Sequence, residues 1–172
     1  MKKLTKLTSL LLAGIMALAM LTACGGIGND AATAKFEAKV EQAYMAELNK
    51  TFGEFKNDAA IKKLAVEHIE AMASKETLSM DELWAEEKLT EKTQNWVMIC
   101  YDVKQNTGKG YVKLSYEMAT AETIAPDINA YLNLAQMKKM QVGNKAKFTA
   151  LGVGAKTING KTYVAIGFRV EG

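Results

Sequence analysis

The stretch FTALGVGAKTINGKTYVAIGFRV, residues 148–170, decides the fold of this 172-residue chain. It contains two runs rich in apolar and β-branched residues, 148–158 and 161–170, on either side of Asn159-Gly160. Asn-Gly is the pair preferred in a two-residue hairpin turn, because both turn positions need a positive φ. The second run alternates, and one of its sides collects Val164, Ile166, Phe168 and Val170. This stretch therefore predicts an antiparallel β-hairpin.

Two strong helical patterns come before the hairpin. Over residues 31–52 an apolar residue recurs at every fourth position: Phe36, Val40, Tyr44, Leu48 and Phe52. A second pattern follows Asn57 and Asp58, either of which is suited to an N-cap, and it ends near Met72. Its apolar residues are spaced three and four apart, as on one face of a helix. We expect a helix over each of these segments.

Two further helices are predicted on shorter signals. Ser79 and Glu82 have the spacing of a capping box, which predicts a helix over Met80–Lys88. Another is predicted over residues 120–142, with Pro126 close to its first turn.

Strand patterns separate these last two helices. Residues 96–103 are apolar on both faces, as expected of a central strand, and they include Cys100. Residues 111–116 alternate like a half-buried strand. Three helices, two strands, a helix and two strands predict an α+β domain, in which helices pack on one antiparallel sheet.

The amino terminus has the pattern of a bacterial lipoprotein signal. Residues 1–23 begin with lysines and continue as the apolar run Leu10–Leu21, which is shorter than the roughly 20 residues that span a bilayer. The run ends in Leu-Thr-Ala-Cys, which resembles the lipobox, a motif whose cysteine is acylated after cleavage. We expect Cys24 to be that residue, followed by a flexible tether over 24–34 and a domain over 35–172. The alternative is an ordinary secretory signal with a chance cysteine.

The charge distribution excludes one class of partner. The formal net charge is +3, and residues 1–23 contain three lysines and no acidic residue, so the chain from Cys24 onward is formally neutral. A nucleic-acid-binding protein needs a basic surface, so we expect no nucleic-acid partner. With Cys24 acylated, Cys100 has no partner for a disulfide within the chain, and its apolar neighbours favour a structural thiol.

Two parts of the chain resemble the CAP superfamily (cysteine-rich secretory protein, antigen 5, pathogenesis-related 1) in its bacterial SCP-like form. AIKKLAVEHIEAMA, residues 60–73, is similar to the family helix L-x-x-A-x-x-H-A-x-D-M-A. INAYLN, residues 128–133, is similar to V-N-x-W-L-N. LGVGA at 151–155 and GKTYV at 160–164 resemble the closing hairpin of the family. The resemblance implies an α-β-α sandwich around a cleft, where two histidines and two acidic residues often hold a divalent metal.

The same resemblance implies that this cleft has lost its metal ligands. The two histidine positions are occupied by Met80 and Met137, and Leu134 stands near one acidic position. Glu117 matches the other acidic position. The single histidine, His68, lies on the apolar face of its helix, where it is either a core residue or a general base lining the cleft. We therefore expect no metal and no cofactor.

Three functional hypotheses follow from the sequence. The first is a non-enzymatic binding module, lipid-anchored on the extracytoplasmic face of a bacterial cell membrane through the acyl chains on Cys24. Its cleft, near His68, Met80, Glu117 and Met137, would take a small hydrophobic ligand or an envelope protein. The second is an envelope hydrolase that uses His68 and Glu117. The third is a structural lipoprotein without a pocket.

Overall fold

A computed structural model of the protein describes residues 30–105, 108, 110–135, 137 and 147–172. The predicted signal peptide and Cys24 lie outside these residues. The chain divides after Lys35 into two units, and the first is described only from Asp30. The features below belong to the second unit, residues 36–172, and to its first helix, which begins at Asp30 in the first unit.

The described elements form an α+β fold, which confirms the predicted class. The helices are α1 (Asp30–Phe52), α2 (Ala59–Ala71) and α3 (Met80–Leu83), with two 3-10 turns at Val103–Gln105 and Ile128–Ala130. The strands are β1 (Thr77–Leu78), β2 (Trp84–Lys88), β3 (Thr93–Ile99), β4 (Tyr111–Val112), β5 (Ser115–Glu117), β6 (Lys147–Ile158) and β7 (Lys161–Glu171).

The predicted hairpin organises the sheet. Strands β6 and β7 pair antiparallel up to Ile158 and Lys161, and Asn159 and Gly160 take positive φ values of 52° and 79°. On its other side β7 pairs with β3 and, beyond the end of β3, with β5. Strand β2 pairs with the outer side of β3, and β1 and β4 form a separate two-stranded sheet. Strand β7 is thus the centre of a five-stranded antiparallel sheet.

Helix α2 packs closely on one face of the hairpin. At three of the hairpin positions that face the helix, the residue is glycine. A Cβ atom on Gly152 would lie 2.6 Å from Cβ of Ile61, and one on Gly154 would lie 2.8 Å from Cβ of Ala65. At Gly167 it would lie 2.5 Å from Cγ2 of Ile61. These distances are shorter than side chains tolerate, so the absence of a Cβ lets the helix backbone reach the sheet. Ile61 and Ala65 are fully buried there.

Helix α1 packs on the opposite face of the same sheet. Successive strand residues point to opposite faces, so Phe168 faces away from α2, and its ring lies 5.6 Å from the ring of Phe52 in α1. Earlier in α1, the Tyr44 hydroxyl lies 2.8 Å from the hydroxyl of Tyr116 in β5. The apolar stripe predicted for residues 31–52 provides this contact, and Val40, Tyr44 and Leu48 are fully buried.

The outer edge of β6 is closed by a single parallel bridge between Asn57 and Leu151 and by side chains. Three alternate backbone N–H groups donate outward: Val153 to Oδ1 of Asn57 (2.8 Å), Ala155 to Oε1 of Glu41 (3.1 Å) and Thr157 to Oε1 of Glu37 (2.7 Å). Glu41 is buried, and Nζ of Lys62 donates to its second oxygen at 2.6 Å. Burial raises the pKa of the Glu41 carboxyl, and Lys62 opposes that shift. These contacts join α1 to the sheet and protect an edge that could otherwise pair with another chain.

The structure corrects the prediction of a helix over Met80–Lys88. The capping box at Ser79 and Glu82 is present, but the helix ends at Leu83 and continues directly as β2. Strand β2 gains backbone pairing with β3, which a short exposed helix could not provide, so tertiary pairing outweighs the local helical signal.

The predicted helix over residues 120–142 is also wrong for most of its described length. Residues 120–127 are not helical, and a 3-10 turn occupies Ile128–Ala130. Pro126 lacks an N–H group and biases the residue before it toward extended backbone, which explains the missing first turns. Residues 134, 135 and 137 are helical, and residues 138–142 lie outside the described part of the chain.

Smaller differences concern strand and helix ends. The strand predicted over 96–103 is observed as Thr93–Ile99, and the one over 111–116 is divided into β4 and β5. The division occurs at Lys113, whose ammonium donates to the carbonyl of Met72 at the end of α2. Helix α1 begins at Asp30, within the stretch assigned to the tether.

Replacing Gly167 with Ala is expected to lower the free energy of unfolding by about 1–3 kcal/mol, the usual cost of overpacking. The added Cβ would lie 2.5 Å from the carbonyl oxygen of Trp96, a backbone atom held in the pairing of β3 with β7. Gly172→Ala is the matched control, because a Cβ there meets nothing within 4 Å. Urea unfolding of both variants measures the difference, and equal stabilities would contradict the close packing around Gly167.

Candidate functional site

An apolar pocket lies on the α1 face of the sheet. Its volume is about 250 Å³, and it is lined by Trp84, Gln94, Trp96, Met137, Phe148, Phe168 and Val170. Apart from Met137, the lining residues come from β2, β3, β6 and β7. Within β3 and within β7 they are alternate residues, so the period of two along a strand brings them to one face.

A β-bulge explains why Phe148 reaches this pocket. Phe148 pairs with Val170, but Ala150 pairs with Arg169, so Thr149 is an extra residue in β6. Without the bulge, Thr149 would occupy the position opposite Val170. The bulge therefore places Phe148 instead of Thr149 in the pocket wall. Bulges commonly reorient side chains in this way.

Aromatic rings fix the shape of the wall. The ring centroids of Trp84 and Trp96 are 6.1 Å apart with planes at 79°, and those of Phe148 and Phe168 are 4.9 Å apart. Phe52 of α1 contacts both phenylalanines edge-on, at 5.5 and 5.6 Å. Such edge-to-face pairs are favourable beyond the area they bury, so the wall is held by ring contacts on both sides.

Polar groups are few in this pocket. Among its described lining residues no side chain is charged, and Gln94 is the one with an amide group. Nε1 of Trp96 is buried and has no hydrogen-bond partner in the part of the chain that the structure describes. A site of this composition binds through apolar contact.

The structure places the residues of the predicted cleft in different parts of the domain. Met137 lines the apolar pocket, whereas Met80 is 52% exposed on α3. Glu117 is exposed at the end of β5, and His68 is buried on α2. Leu134, which the resemblance put near an acidic position, is buried in the core. The three described cavities, of about 450, 440 and 250 Å³, contain only Met137 from this set.

His68 has the surroundings of a core histidine. Its side chain is 9% exposed, and Nε2 has no hydrogen-bond partner among the described residues. Burial lowers the pKa of the imidazole, and the backbone of Leu83 and Glu82 opposes that shift by hydrogen bonding. A general base must reach its substrate, and no described cavity reaches this imidazole.

Cys100 is also a structural residue. It is fully buried, and burial raises the pKa of its thiol to about 12, so it is protonated at neutral pH and unreactive. Burial likewise raises the pKa of Tyr44 and of Tyr131, two phenols that surround this thiol.

A polar cavity of about 440 Å³ lies at the end of α2, and Lys113 forms part of its wall. Nζ of Lys113 donates to the carbonyls of Met72 and Ala73 at 2.6 and 3.3 Å and lies 4.9 Å from the ring centroid of Tyr163. Burial lowers the pKa of this lysine. Its donors are committed to the helix end, so Lys113 stabilises α2 and does not reach out to a ligand.

The described residues contain neither a metal-binding cluster nor a membrane-spanning helix. No three His, Cys, Asp or Glu side chains among them come together as a metal site requires. None of the helices described in residues 30–105, 110–135 and 147–172 is long and apolar enough to cross a membrane.

Comparisons with known proteins leave the family open. No protein-family model, curated protein or solved structure matches the chain. The similarity to the CAP superfamily therefore rests on the quoted sequence motifs alone.

The single histidine of the chain should titrate below the ordinary pKa of 6.5, because burial disfavours the imidazolium. Below pH 6.5 the unfolded chain would bind a proton that the folded protein does not, so stability should decrease as the pH falls toward the folded pKa. A ¹H NMR titration of the His68 Cε1–H signal measures that pKa, and His68→Gln should lose this part of the pH dependence. A midpoint at or above 6.5 would contradict the burial of the side chain.

Proposed function

We propose that the protein is a lipid-anchored, extracytoplasmic binding module whose aromatic pocket takes a small apolar ligand. The observation that carries this proposal is the pocket itself: four aromatic side chains line it, and no charged side chain does among the described lining residues. The sequence motifs support a CAP-like relationship. We place the protein on a bacterial cell membrane because of the Leu-Thr-Ala-Cys signal that ends at Cys24.

The size of the pocket limits the ligand. An apolar cavity of about 150 Å³ accepts one benzene molecule, and sites for drug-sized ligands have about 300–1,000 Å³. A volume of about 250 Å³ therefore suits one substituted ring or a short acyl segment. At about 0.6 kcal/mol per non-hydrogen atom, a ligand of about eight atoms would bind with a Kd of about 0.1–1 mM.

The enzyme hypothesis has no support from the site geometry. The hydrolase would need His68 and Glu117 at one substrate, and neither residue lines a described cavity. A structural lipoprotein without ligand remains the competing hypothesis, and a binding measurement separates it from the proposal.

The lipid anchor would keep the domain near a source of apolar molecules. Helix α1 begins at Asp30, six residues after Cys24. Six extended residues reach at most about 21 Å, so an acylated Cys24 would hold the start of α1 within that distance of the membrane surface.

Cys24→Ser is expected to abolish acylation, because the serine hydroxyl cannot replace the thiol that accepts the lipid. Intact-mass analysis should then show loss of the acyl chains, and the protein should leave the detergent phase on partitioning. Cys100→Ala is the control, because it removes the other cysteine and should leave the lipid in place. An unchanged mass shift and unchanged partitioning in Cys24→Ser would show that this cysteine is not the anchor.

Fluorobenzene is expected to bind the full chain saturably, with a Kd of about 0.1–1 mM, because its ring matches the pocket volume. Val170→Trp should weaken this binding at least tenfold by filling the pocket. Val103→Trp places the same side chain on a 3-10 turn outside the pocket and should leave binding unchanged. ¹⁹F NMR line widths measure binding in all three proteins. Lack of saturable binding to the wild-type chain would favour the structural hypothesis over the proposal.

A further inference from the structure

We propose that β2 pairs with β2 of a second copy of this chain, antiparallel and across a two-fold axis, so that two five-stranded sheets join into one continuous sheet. Two features carry this inference: the open outer edge of β2 and the charges along that edge. It is independent of the aromatic pocket and of any ligand bound there.

The two outer edges of the sheet differ. Side chains and a single bridge close the edge of β6, whereas β2 pairs with β3 alone among the described strands. Residues 86–88 of β2 are exposed. An open edge presents backbone donors and acceptors that another strand can use. Strand β2 is therefore the edge at which the sheet can be extended.

The hydrogen bonds at the β2–β3 turn show which residues of β2 point outward. The Leu89 N–H donates to the carbonyl of Thr93 at 2.9 Å, so the backbone of Leu89 faces β3. Hydrogen-bonded and non-hydrogen-bonded pairs alternate along an antiparallel ladder. The backbone N–H and C=O groups of Glu86 and Lys88 therefore point away from β3, toward the open edge.

One antiparallel register makes this edge complementary to itself. With the two-fold axis at Glu87, Glu86 of each copy lies opposite Lys88 of the other, and these pairs exchange backbone hydrogen bonds. Among the described residues no ion pair uses either side chain. Charges on an edge usually oppose strand pairing, but here they attract. A shift by two residues would place Glu86 opposite Glu86 or Lys88 opposite Lys88, so the charges select this register.

The other face of the strand fits the same register. Leu89, which is 43% exposed, lies opposite Ala85 of the other copy and would be covered there. The pair of Glu87 carboxylates at the axis is unfavourable. Each of them, however, accepts a hydrogen bond from Nδ2 of Asn95 at 2.9 Å, and Asn95 accepts one from Arg169, which holds Glu87 toward its own sheet. The interface is small, so we expect a reversible dimer.

Carbodiimide cross-linking tests the register on the unmodified full chain. The reagent joins a carboxylate to an amine in contact with it, so an amide bond should form between Glu86 and Lys88 of different copies. In an equal mixture of ¹⁴N- and ¹⁵N-labelled chains, mass spectrometry identifies such links by their mixed isotope content. The exposed ion pair of Lys63 and Glu67 on α2 is the internal control, because it should link within one chain. We expect mixed links at least tenfold more often at Glu86 and Lys88 than at the control pair, and equal frequencies would overturn the proposal.

Paired cysteines test the same register by disulfide formation. The double variant Ala85→Cys/Leu89→Cys places its thiols opposite each other across the axis, where the Cα atoms of a non-hydrogen-bonded pair are about 4.5 Å apart. In each single variant the two thiols would belong to strand positions about 14 Å apart, too far for a disulfide. With copper phenanthroline as oxidant, we expect the double variant to form covalent dimers at least tenfold faster than either single variant. The wild-type chain gives the background from Cys24 and Cys100.

Charge exchange in the double cysteine variant tests the ion pairs. Lys88→Glu places like charges opposite each other twice and should slow disulfide formation about tenfold. Adding Glu86→Lys reverses both pairs and should restore the original rate. Equal rates for the double and single cysteine variants, or no recovery when both charges are exchanged, would overturn the proposed pairing.

Discussion

Close contact between α2 and the hairpin glycines determines how the two faces of the sheet are used. Gly152, Gly154 and Gly167 let the helix backbone approach the strands, and Ile61 and Ala65 fill the space that their side chains would occupy. One face of the sheet is therefore covered by α2. Because side chains alternate along a strand, the neighbours of these glycines, such as Phe168, must face the other way. The large residues consequently collect on the α1 face, where helix and pocket share them.

Helix α1 is held to that face by two kinds of interaction. Its apolar stripe contacts the sheet through Tyr44 and Phe52, and its acidic residues Glu37 and Glu41 accept hydrogen bonds from the outer edge of β6. The second interaction is costly for Glu41, whose buried carboxylate needs both Lys62 and the backbone N–H to offset its desolvation. Phe52, at the end of the helix, then supports the phenylalanines of the pocket wall.

Sequence patterns predicted the parts of this fold that depend on local chemistry. The turn at Asn159-Gly160, the two long helices and the capping box at Ser79 all follow from residues close together in the chain. The pocket could not be predicted in this way, because it combines alternate residues of separate strands whose register is set by pairing. The capping-box signal predicts a helix at Trp84, and the bulge that turns Phe148 inward has no clear sequence signal. Met137 is the one pocket residue that the family resemblance named.

The central claim is that the α1 face of the sheet holds a ligand-sized apolar pocket. A crystal structure of the protein soaked with bromobenzene tests it most directly, because anomalous scattering locates the bromine without reference to any model of the ligand. The account predicts one strong bromine peak between the rings of Trp84, Phe148 and Phe168. A pocket occupied by the protein's own side chains, with bromine bound elsewhere or nowhere, would contradict it.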